Sequence, residues 1–315
     1  MGASTRSFSS PTAWVRAICL SAAVLGAPVQ AAGATGPAIA RGTTLALTMP
    51  SAALHESRKL MIYLPPGYTN PATRGRQYPV IYLLSGSPGS QKDWFTHGGA
   101  AGTVDAWIAA GKLKPLILVS PDGNGGRYLD SQFVNSADGR SLVETFLTRD
   151  VIAYVDGHYR TIRAASGRAL VGYSAGAYGA LNVGLHHPDL YSVLAGFCGY
   201  YTADPREVTK PAINHPMSTS PAFLRANSPS VTITALPPRR DPRIYLVEST
   251  VDGYYTAATR RFDAELTRLG APHLTTLFTP RTAAERAAWP HSWSFTSMAF
   301  QISLPRIAGT LQGES

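Results

Sequence analysis

The stretch "GRALVGYSAGAYGALN", residues 167–182, decides the fold because a single serine joins a hydrophobic run to an Ala/Gly-rich run. The run ALV predicts a short buried strand, and residues 175–185 predict a helix. Ser174 lies at the corner between them, with the spacing Gly172-x-Ser174-x-Gly176. This is the nucleophile-elbow pattern, in which the serine takes a strained backbone conformation and small neighbours avoid clashes. A G-x-S-x-G string alone can arise by chance, but its position at a strand–helix boundary favours a nucleophilic serine.

The first 31 residues have the features of a secretory signal peptide. Arg6 and Arg16 precede an apolar run over residues 17–29, and residues 29–31 fit a small-residue cleavage pattern. The run is shorter than the roughly 20 apolar residues that a membrane span needs, and no later stretch approaches that length. We therefore expect a signal peptide over residues 1–31, a mature chain without an integral membrane span, and a location outside the cell or in the cell envelope. A retained N-terminal anchor is the alternative.

Residues 32–315 are of a size that fits one large α/β domain. Cys198 is the one cysteine in this part, so no disulfide holds its core, and the apolar neighbours in "VLAGFCGYY" predict a buried thiol and not a nucleophile. The net charge of the whole chain is +9, but its basic residues are scattered and form no run that would follow a nucleic-acid backbone. The sequence contains no His-Glu-x-x-His motif, phosphate loop or dinucleotide fingerprint. We expect no nucleic-acid partner, no metal and no cofactor.

Strand and helix patterns alternate along the mature chain, which predicts a mostly parallel central sheet with helices on both faces. Two continuous apolar runs, residues 78–86 and 113–123, are typical of parallel strands that are covered on both sides. The Pro-rich segment 202–241 interrupts the alternation, and we expect an excursion over the active-site edge of the sheet, with a lid as one possible role. The other predicted elements are strands at 58–68, 191–199, 243–249 and 274–279 and helices at 103–110, 142–159 and 255–269.

A serine hydroxyl needs a base to take its proton, and the base needs an acid to fix its tautomer. In α/β-hydrolases these groups follow the elbow in the order Ser, Asp or Glu, His. Asp252 lies in the loop after the strand "RIYLVES", and Glu248 within that strand is the alternative acid. His291 in "WPHSW" follows the last predicted strand, whereas His273 precedes it and lies on the wrong side of the sheet. The predicted triad is therefore Ser174, Asp252 and His291.

Acyl transfer also needs two backbone N–H groups that stabilise the negative charge on the carbonyl oxygen. The N–H of Ala175, directly after the nucleophile, is one candidate. The N–H of Ser87 in "LLSGSPGS" is the other, with Gly86 as its alternative.

Aromatic residues are candidates for an aromatic cleft that contacts substrate. Trp94, Tyr200 and Trp293 are the substrate-binding candidates, and Tyr128 and Tyr201 are possible further members. Each of them is equally compatible with the core or with ordinary surface.

Together these segments resemble the esterase D-like branch of the α/β-hydrolases, which includes feruloyl esterases, S-formylglutathione hydrolases and the secreted mycolyltransferase antigens. The resemblance extends over residues 58–300 and is carried by "YPVIYLLSGSPGSQKDW", "GYSAGAYGALNVGLHHPDLY", "VESTVDG", "LGAPH" and "WPHSW". It implies an α/β-hydrolase fold and the same triad and oxyanion residues as above. Ser85 departs from the pattern, because many relatives have His or Asp before the glycine.

The expected function is that of a secreted serine carboxylesterase that acts through an acyl-enzyme on a small-molecule, lipid or polysaccharide ester. One alternative is an acyltransferase of the mycolyltransferase type, which passes the acyl group to a sugar or lipid hydroxyl. The other is a catalytically silent binding protein of the cell envelope on the same scaffold. The triad alone does not separate hydrolysis from transfer, since the chemistry up to the acyl-enzyme is identical.

Overall fold

The computed structural model describes residues 40–124, 127–203, 216–236 and 242–313. The predicted signal peptide over residues 1–31 lies outside these ranges, as do parts of the Pro-rich segment. The strands are β1 (Thr43–Ser51), β2 (Glu56–Leu64), β3 (Val80–Leu84), β4 (Ile117–Pro121), β5 (Arg168–Tyr173), β6 (Val193–Phe197), β7 (Arg243–Ser249) and β8 (His273–Phe278). The helices are α1 (Asp93–Thr96), α2 (Ala100–Ala109), α3 (Val143–Thr145), α4 (Ile152–His158), α5 (Ala175–His186), α6 (Pro221–Ala226), α7 (Pro229–Ala235), α8 (Tyr254–Leu269), α9 (Ala283–Ala288) and α10 (Trp293–Leu311).

The described strands form a single sheet in the order β1-β2-β4-β3-β5-β6-β7-β8. The pairs β1–β2 and β2–β4 are antiparallel, and every other neighbouring pair is parallel. The prediction of a mostly parallel α/β sheet is therefore confirmed. Since β3, β5, β7 and β8 run in the same direction, the loops that follow them leave the sheet at the same edge.

Alternate residues of the central strands pack against different helical layers. In β3, Val80, Tyr82 and Leu84 lie in one apolar cluster with residues of α5 and α8. Ile81 and Leu83 lie in a second cluster with residues of α2 and α10. Because side chains alternate along a strand, a strand covered by helices on both faces must be apolar at every position. This explains the continuous hydrophobic runs in the sequence.

The structure adds elements to which no sequence pattern was assigned. Strand β1 is an edge strand with mostly exposed or half-exposed positions, so it carries little hydrophobic pattern. Helix α10 contains Pro305 in its interior, which weakens a helix prediction. Within the Pro-rich segment, α6 and α7 each begin with Pro after a serine, a favoured first-turn position. Within the described ranges, no helix is both long and apolar enough to cross a membrane.

Candidate active site

Ser174 lies at the tight turn between β5 and α5 in a strained backbone conformation. Its φ is 58° and its ψ is −120°, a sparsely populated combination that costs about 1–3 kcal/mol. The Ser174 N–H donates to the Phe197 carbonyl at 2.9 Å and fixes the turn against β6. A Cβ at Gly172 would lie 1.9 Å from the Gly176 oxygen, and a Cβ at Gly176 would lie 2.2 Å from the Leu84 oxygen. Both glycines of the motif are thus required by close backbone contact.

The structure brings together the three side chains of the predicted triad. Ser174 Oγ lies 2.7 Å from His291 Nε2, and His291 Nδ1 lies 3.3 Å from Asp252 Oδ2. The Asp252 side chain is 6% exposed and that of His291 is 28% exposed. In the tautomer that donates Nδ1–H to Asp252, Nε2 is the nitrogen that accepts from the Ser174 hydroxyl. Ser174, His291 and Asp252 are therefore connected in one hydrogen-bonded chain, the arrangement that a nucleophile, a base and an orienting acid require.

His273, which the sequence analysis rejected as the base, has contacts that do not involve Ser174. His273 begins β8 at the opposite edge of the sheet. Its Nε2 lies 3.3 Å from an Asp263 carboxylate oxygen, and its Nδ1 lies 2.8 Å from the Ala271 carbonyl. These are local contacts around the end of α8. Of the two histidines, His291 is the one that contacts Ser174.

Glu248, the alternative acid, is fully buried and lies behind Asp252. One of its oxygens accepts the Ser249 N–H at 2.7 Å. A carboxylate oxygen of Glu248, one of Asp252 and the Sγ of Cys198 lie within 4.8 Å of one another. Burial, and after it the negative charge of Asp252, raise the pKa of Glu248 to about 8. Of the two acids, Asp252 is the one in contact with His291.

Cys198 is buried, as the sequence predicted. Burial, together with the neighbouring Glu248 and Asp252 carboxylates, raises the pKa of its thiol well above the ordinary value. A thiol in these surroundings is protonated and a poor nucleophile. Within the described part of the chain, Cys198, Glu248 and Asp252 are the set whose donor atoms cluster closely enough to hold a metal ion. Asp252 is also engaged with His291 and Glu248 with Ser249, so this set belongs to the hydrogen-bonded surroundings of the triad.

Each predicted oxyanion donor belongs to a segment that contacts or follows the nucleophile. Ala175 is the first residue of α5, where backbone N–H groups lack intrahelical acceptors. The turn after β3 packs directly on the elbow, because a Cβ at Gly86 would lie 3.1 Å from Ser174 Cβ. Asn124 Nδ2 donates to the Gly86 oxygen at 2.9 Å and holds this turn. Gly86, the alternative donor, therefore lies against Ser174, and Ser87 is the next residue of the same turn.

Two tyrosines that the sequence analysis did not single out hold His291. The ring of Tyr255 stacks on the imidazole with centroids 3.7 Å apart and an interplanar angle of 18°. The Tyr173 hydroxyl donates to the His291 backbone oxygen at 3.0 Å. Both residues lie close in sequence to predicted triad members, Tyr173 before Ser174 and Tyr255 three residues after Asp252. That proximity is the signal that could have identified them.

The three predicted substrate-binding aromatics have different surroundings. Trp94 has no exposed surface, and its indole N–H donates to the Leu84 oxygen at 2.9 Å. A fully buried side chain cannot touch a bound ester, so the prediction for Trp94 is wrong. Trp293 is half-buried, with its ring centroid 4.7 Å from that of Tyr173. Tyr200 is half-buried and lines a cavity of about 110 Å³. The other residues lining this cavity are Tyr201, Thr202, Ser230, Tyr254, Ala258, Arg261 and Phe262.

A second cluster of titratable groups lies at the far end of α5. Glu144 Oε1 is 3.1 Å from His186 Nδ1 and 2.8 Å from His187 Nε2. The other ring nitrogen of His186 lies 2.8 Å from the Ala226 carbonyl at the end of α6. No local sequence pattern indicates this shared partner, because Glu144 lies 42 and 43 residues before the two histidines. The cluster ties α5 to α3 and to the Pro-rich segment.

Comparisons with known proteins agree with this architecture. The Esterase family model matches residues 51–286. An esterase of Mycobacterium tuberculosis, Esterase Rv1288, is 38% identical over 121 residues, which are 38% of this chain and 24% of that protein. The endo-1,4-beta-xylanase/feruloyl esterase of Xylanibacter ruminicola is 30% identical over 155 residues, 48% of this chain and 20% of that protein. The matches thus span a quarter or less of these two curated relatives.

Solved structures share the fold. A ferulic acid esterase superposes with a TM-score of 0.71 at 21% identity and covers 86% of this chain and 99% of its own. An S-formylglutathione hydrolase from Agrobacterium tumefaciens superposes with a TM-score of 0.69 at 17% identity, covering 88% of this chain and 98% of its own. At these identities the likeness establishes the fold alone, which is that of the α/β-hydrolase esterases.

Proposed function

The chain belongs to the Esterase family, in the esterase D-like branch of the α/β-hydrolases, and on that premise we propose that it is a secreted serine carboxylesterase. The proposed substrate is a carboxylic ester of a small molecule, a lipid or a polysaccharide. The observation that carries the proposal is the hydrogen-bonded chain from Ser174 Oγ through His291 to Asp252, at 2.7 and 3.3 Å. The strained elbow that presents Ser174 supports it.

In the proposed reaction, Ser174 Oγ attacks the ester carbonyl as its proton passes to His291 Nε2. Asp252 holds the imidazole tautomer and stabilises the imidazolium that forms. The N–H groups of Ser87 and Ala175 stabilise the tetrahedral oxyanion. Collapse breaks the bond to the alcohol, which leaves with the proton from His291. Water, deprotonated by the same imidazole, then attacks the acyl-enzyme, releasing the acid and restoring Ser174.

The first experiment tests the nucleophile. Ser174→Ala is expected to abolish labelling by a fluorophosphonate probe and to remove p-nitrophenyl ester hydrolysis, since the acyl-enzyme can no longer form. The matched control is Ser166→Ala, at an exposed serine just before β5. This variant should react with the fluorophosphonate probe and hydrolyse the p-nitrophenyl ester like the wild type. Undiminished labelling of the Ser174 variant would show that another residue is the nucleophile.

A second experiment separates the alternatives for this fold. A panel of p-nitrophenyl and feruloyl esters is incubated with and without a polyol acceptor, and the products are quantified. Free acid as the main product supports the esterase. An acylated polyol as the main product indicates an acyltransferase, and no turnover of any ester indicates a silent binding protein.

Export depends on residues 1–31, which we propose act as a signal peptide. The measurement is the N-terminal sequence of the protein recovered outside the cytoplasm. A new N-terminus near residue 32 supports the proposal, whereas retention of the first 31 residues contradicts it.

A further inference from the structure

A second carboxyl group lies buried behind the triad acid. Glu248 has no exposed surface and Asp252 is 7% exposed. Their oxygens lie within 4.8 Å of each other, and after burial the charge of Asp252 and hydrogen bonding to it raise the pKa of Glu248. Two carboxylates this close together, with little water around them, cannot both remain ionised without a cation. In the described part of the chain, no Lys or Arg forms an ion pair with either of them; Asp252 pairs with His291.

The polar and titratable groups near Glu248 belong to several strands, turns and helices of the described chain. None of these groups is a Lys or Arg side chain. The Ser249 N–H donates to Oε1 at 2.7 Å, and the Thr259 hydroxyl on α8 donates to Oε2 at 3.5 Å. The titratable neighbours are Cys198 after β6, Tyr201 in the next turn, Tyr173 on β5, Asp252 after β7 and, beyond Asp252, His291. Burial and the Asp252 carboxylate disfavour the ionised form of Glu248, and they outweigh the hydrogen bonds from Ser249 and Cys198, which lower its pKa.

We propose that Glu248 is a positioning residue of the triad: it keeps its proton, donates that proton in a hydrogen bond to the Asp252 carboxylate, and thereby holds Asp252 against His291. The inference rests on the proposed role of Asp252. The His291–Asp252 distance of 3.3 Å is long for a charge-assisted bond, so the orientation of Asp252 depends on its other contacts. A donor on its far side is the kind of support that keeps a catalytic carboxylate in a productive geometry.

The proposal has two consequences for pH dependence. Burial, and then the Asp252 charge, raise the pKa of Glu248 to about 8, so the donor is present below that pH and is lost above it. Activity should therefore fall as the pH rises through about 8. The free energy of unfolding should also fall as the pH rises. The unfolded pKa is about 4.3, so the contribution of neutral Glu248 is complete below that value and is lost as the pH rises to about 8.

The activity test uses Glu248→Gln and Glu248→Met. A glutamine amide keeps a donor to Asp252 at every pH, whereas methionine fills a similar volume without one. We expect the Gln variant to retain wild-type kcat/KM at pH 7 and to lose the decline above about pH 8. We expect the Met variant to lose about tenfold in kcat with little change in KM. A Gln variant that declines like the wild type, or a Met variant as active as the wild type, would overturn the inference.

The stability test does not need activity. The free energy of unfolding is measured in urea from pH 5 to 8 for the wild type, Glu248→Gln and the matched control Glu144→Gln. The advantage of Glu248→Gln over the wild type should grow across the whole of this range, whereas Glu144→Gln should be less stable than the wild type, with a deficit that is constant up to about pH 6.5 and changes only above it. A difference that is flat with pH would overturn the inference. If the proposed function fails instead, Ser174 stays unlabelled by the fluorophosphonate probe while the pH-dependent difference remains.

Discussion

Two buried glutamates lie in opposite electrostatic surroundings. Glu248, at the end of β7, faces the Asp252 carboxylate, and its pKa is raised to about 8. Glu144, in α3, faces His186 and His187. Burial alone would raise the pKa of Glu144, but the hydrogen bonds from the two histidines outweigh burial and lower it. Burial acts in the same direction on both carboxyl groups, and the partner decides the outcome: Asp252 adds to the effect of burial on the pKa of Glu248, whereas the two histidines reverse it at Glu144.

Helix α5 connects the two regions. Its N-terminal end follows the strained Ser174, which contacts His291, and its C-terminal end carries the two histidines on Glu144. At the second end two histidines share one carboxylate and both ring nitrogens of His186 have partners, which is typical of a structural cluster. The first places a neutral acid behind a charged one, which is typical of a functional site. Substitutions at the two ends should therefore separate activity from stability.

The largest expected effect is on activity and concerns the base. His291→Ala should remove nearly all ester hydrolysis, because no group remains to accept the Ser174 proton. The matched control, His273→Ala, should retain most activity, since His273 contacts Asp263 at the opposite edge of the sheet. Initial rates on one soluble ester provide the measurement. Equal losses in both variants would mean that His291 has no special role.

The next effect concerns the orienting acid. Asp252→Asn should lower kcat by about 10⁴-fold, because an amide presents the wrong hydrogen-bonding group to His291 Nδ1. Glu248→Gln should cost far less, since the inferred donor is preserved. Steady-state kinetics of the two variants test this order. A crippled Glu248 variant beside an active Asp252 variant would show that the acid is Glu248.

The smallest effect is on stability at the far end of α5. Glu144→Gln should lower the free energy of unfolding by about 2 kcal/mol, because the charged acceptor shared by His186 and His187 is lost. The deficit should be largest between about pH 4.3 and 6.5, the unfolded pKa values of Glu and His. Urea unfolding at several pH values measures it.

The stabilisation by this cluster decreases on both sides of this pH range, because the pKa of Glu144 is lowered and that of His186 is raised. The contribution of Glu144 is lost as the pH falls through its lowered pKa. Burial lowers the pKa of His186, but the hydrogen bond and ion pair with Glu144 outweigh burial, and the pKa is raised overall. The stabilisation that His186 contributes is therefore lost as the pH rises through this raised pKa. Ester hydrolysis should be unchanged at pH 7. A fall in activity without a loss of stability would contradict a structural role for this cluster.

Much of the fold followed from local sequence patterns. Strand β7 has the predicted bounds, and α5 and α8 lie within one residue of the predicted ones. These elements have continuous apolar runs or clear end signals, such as Gly270 with φ 64° after α8. Strand β1 and helix α10 carry weaker patterns, because one lies at the sheet edge and the other contains a proline.

Sequence patterns alone placed Ser174 at an elbow, and they placed the predicted acid and His291 in later loops, since these assignments depend on spacing along the chain. They favoured Asp252 over Glu248 as the acid but left Glu248 as the alternative, because the two are only four positions apart and the end of β7 sets which one faces His291. They also could not show that Trp94 is buried or that Glu144 holds two histidines 42 and 43 residues away. Those facts depend on contacts between distant segments, which the packing of helices on the sheet creates and no local pattern records.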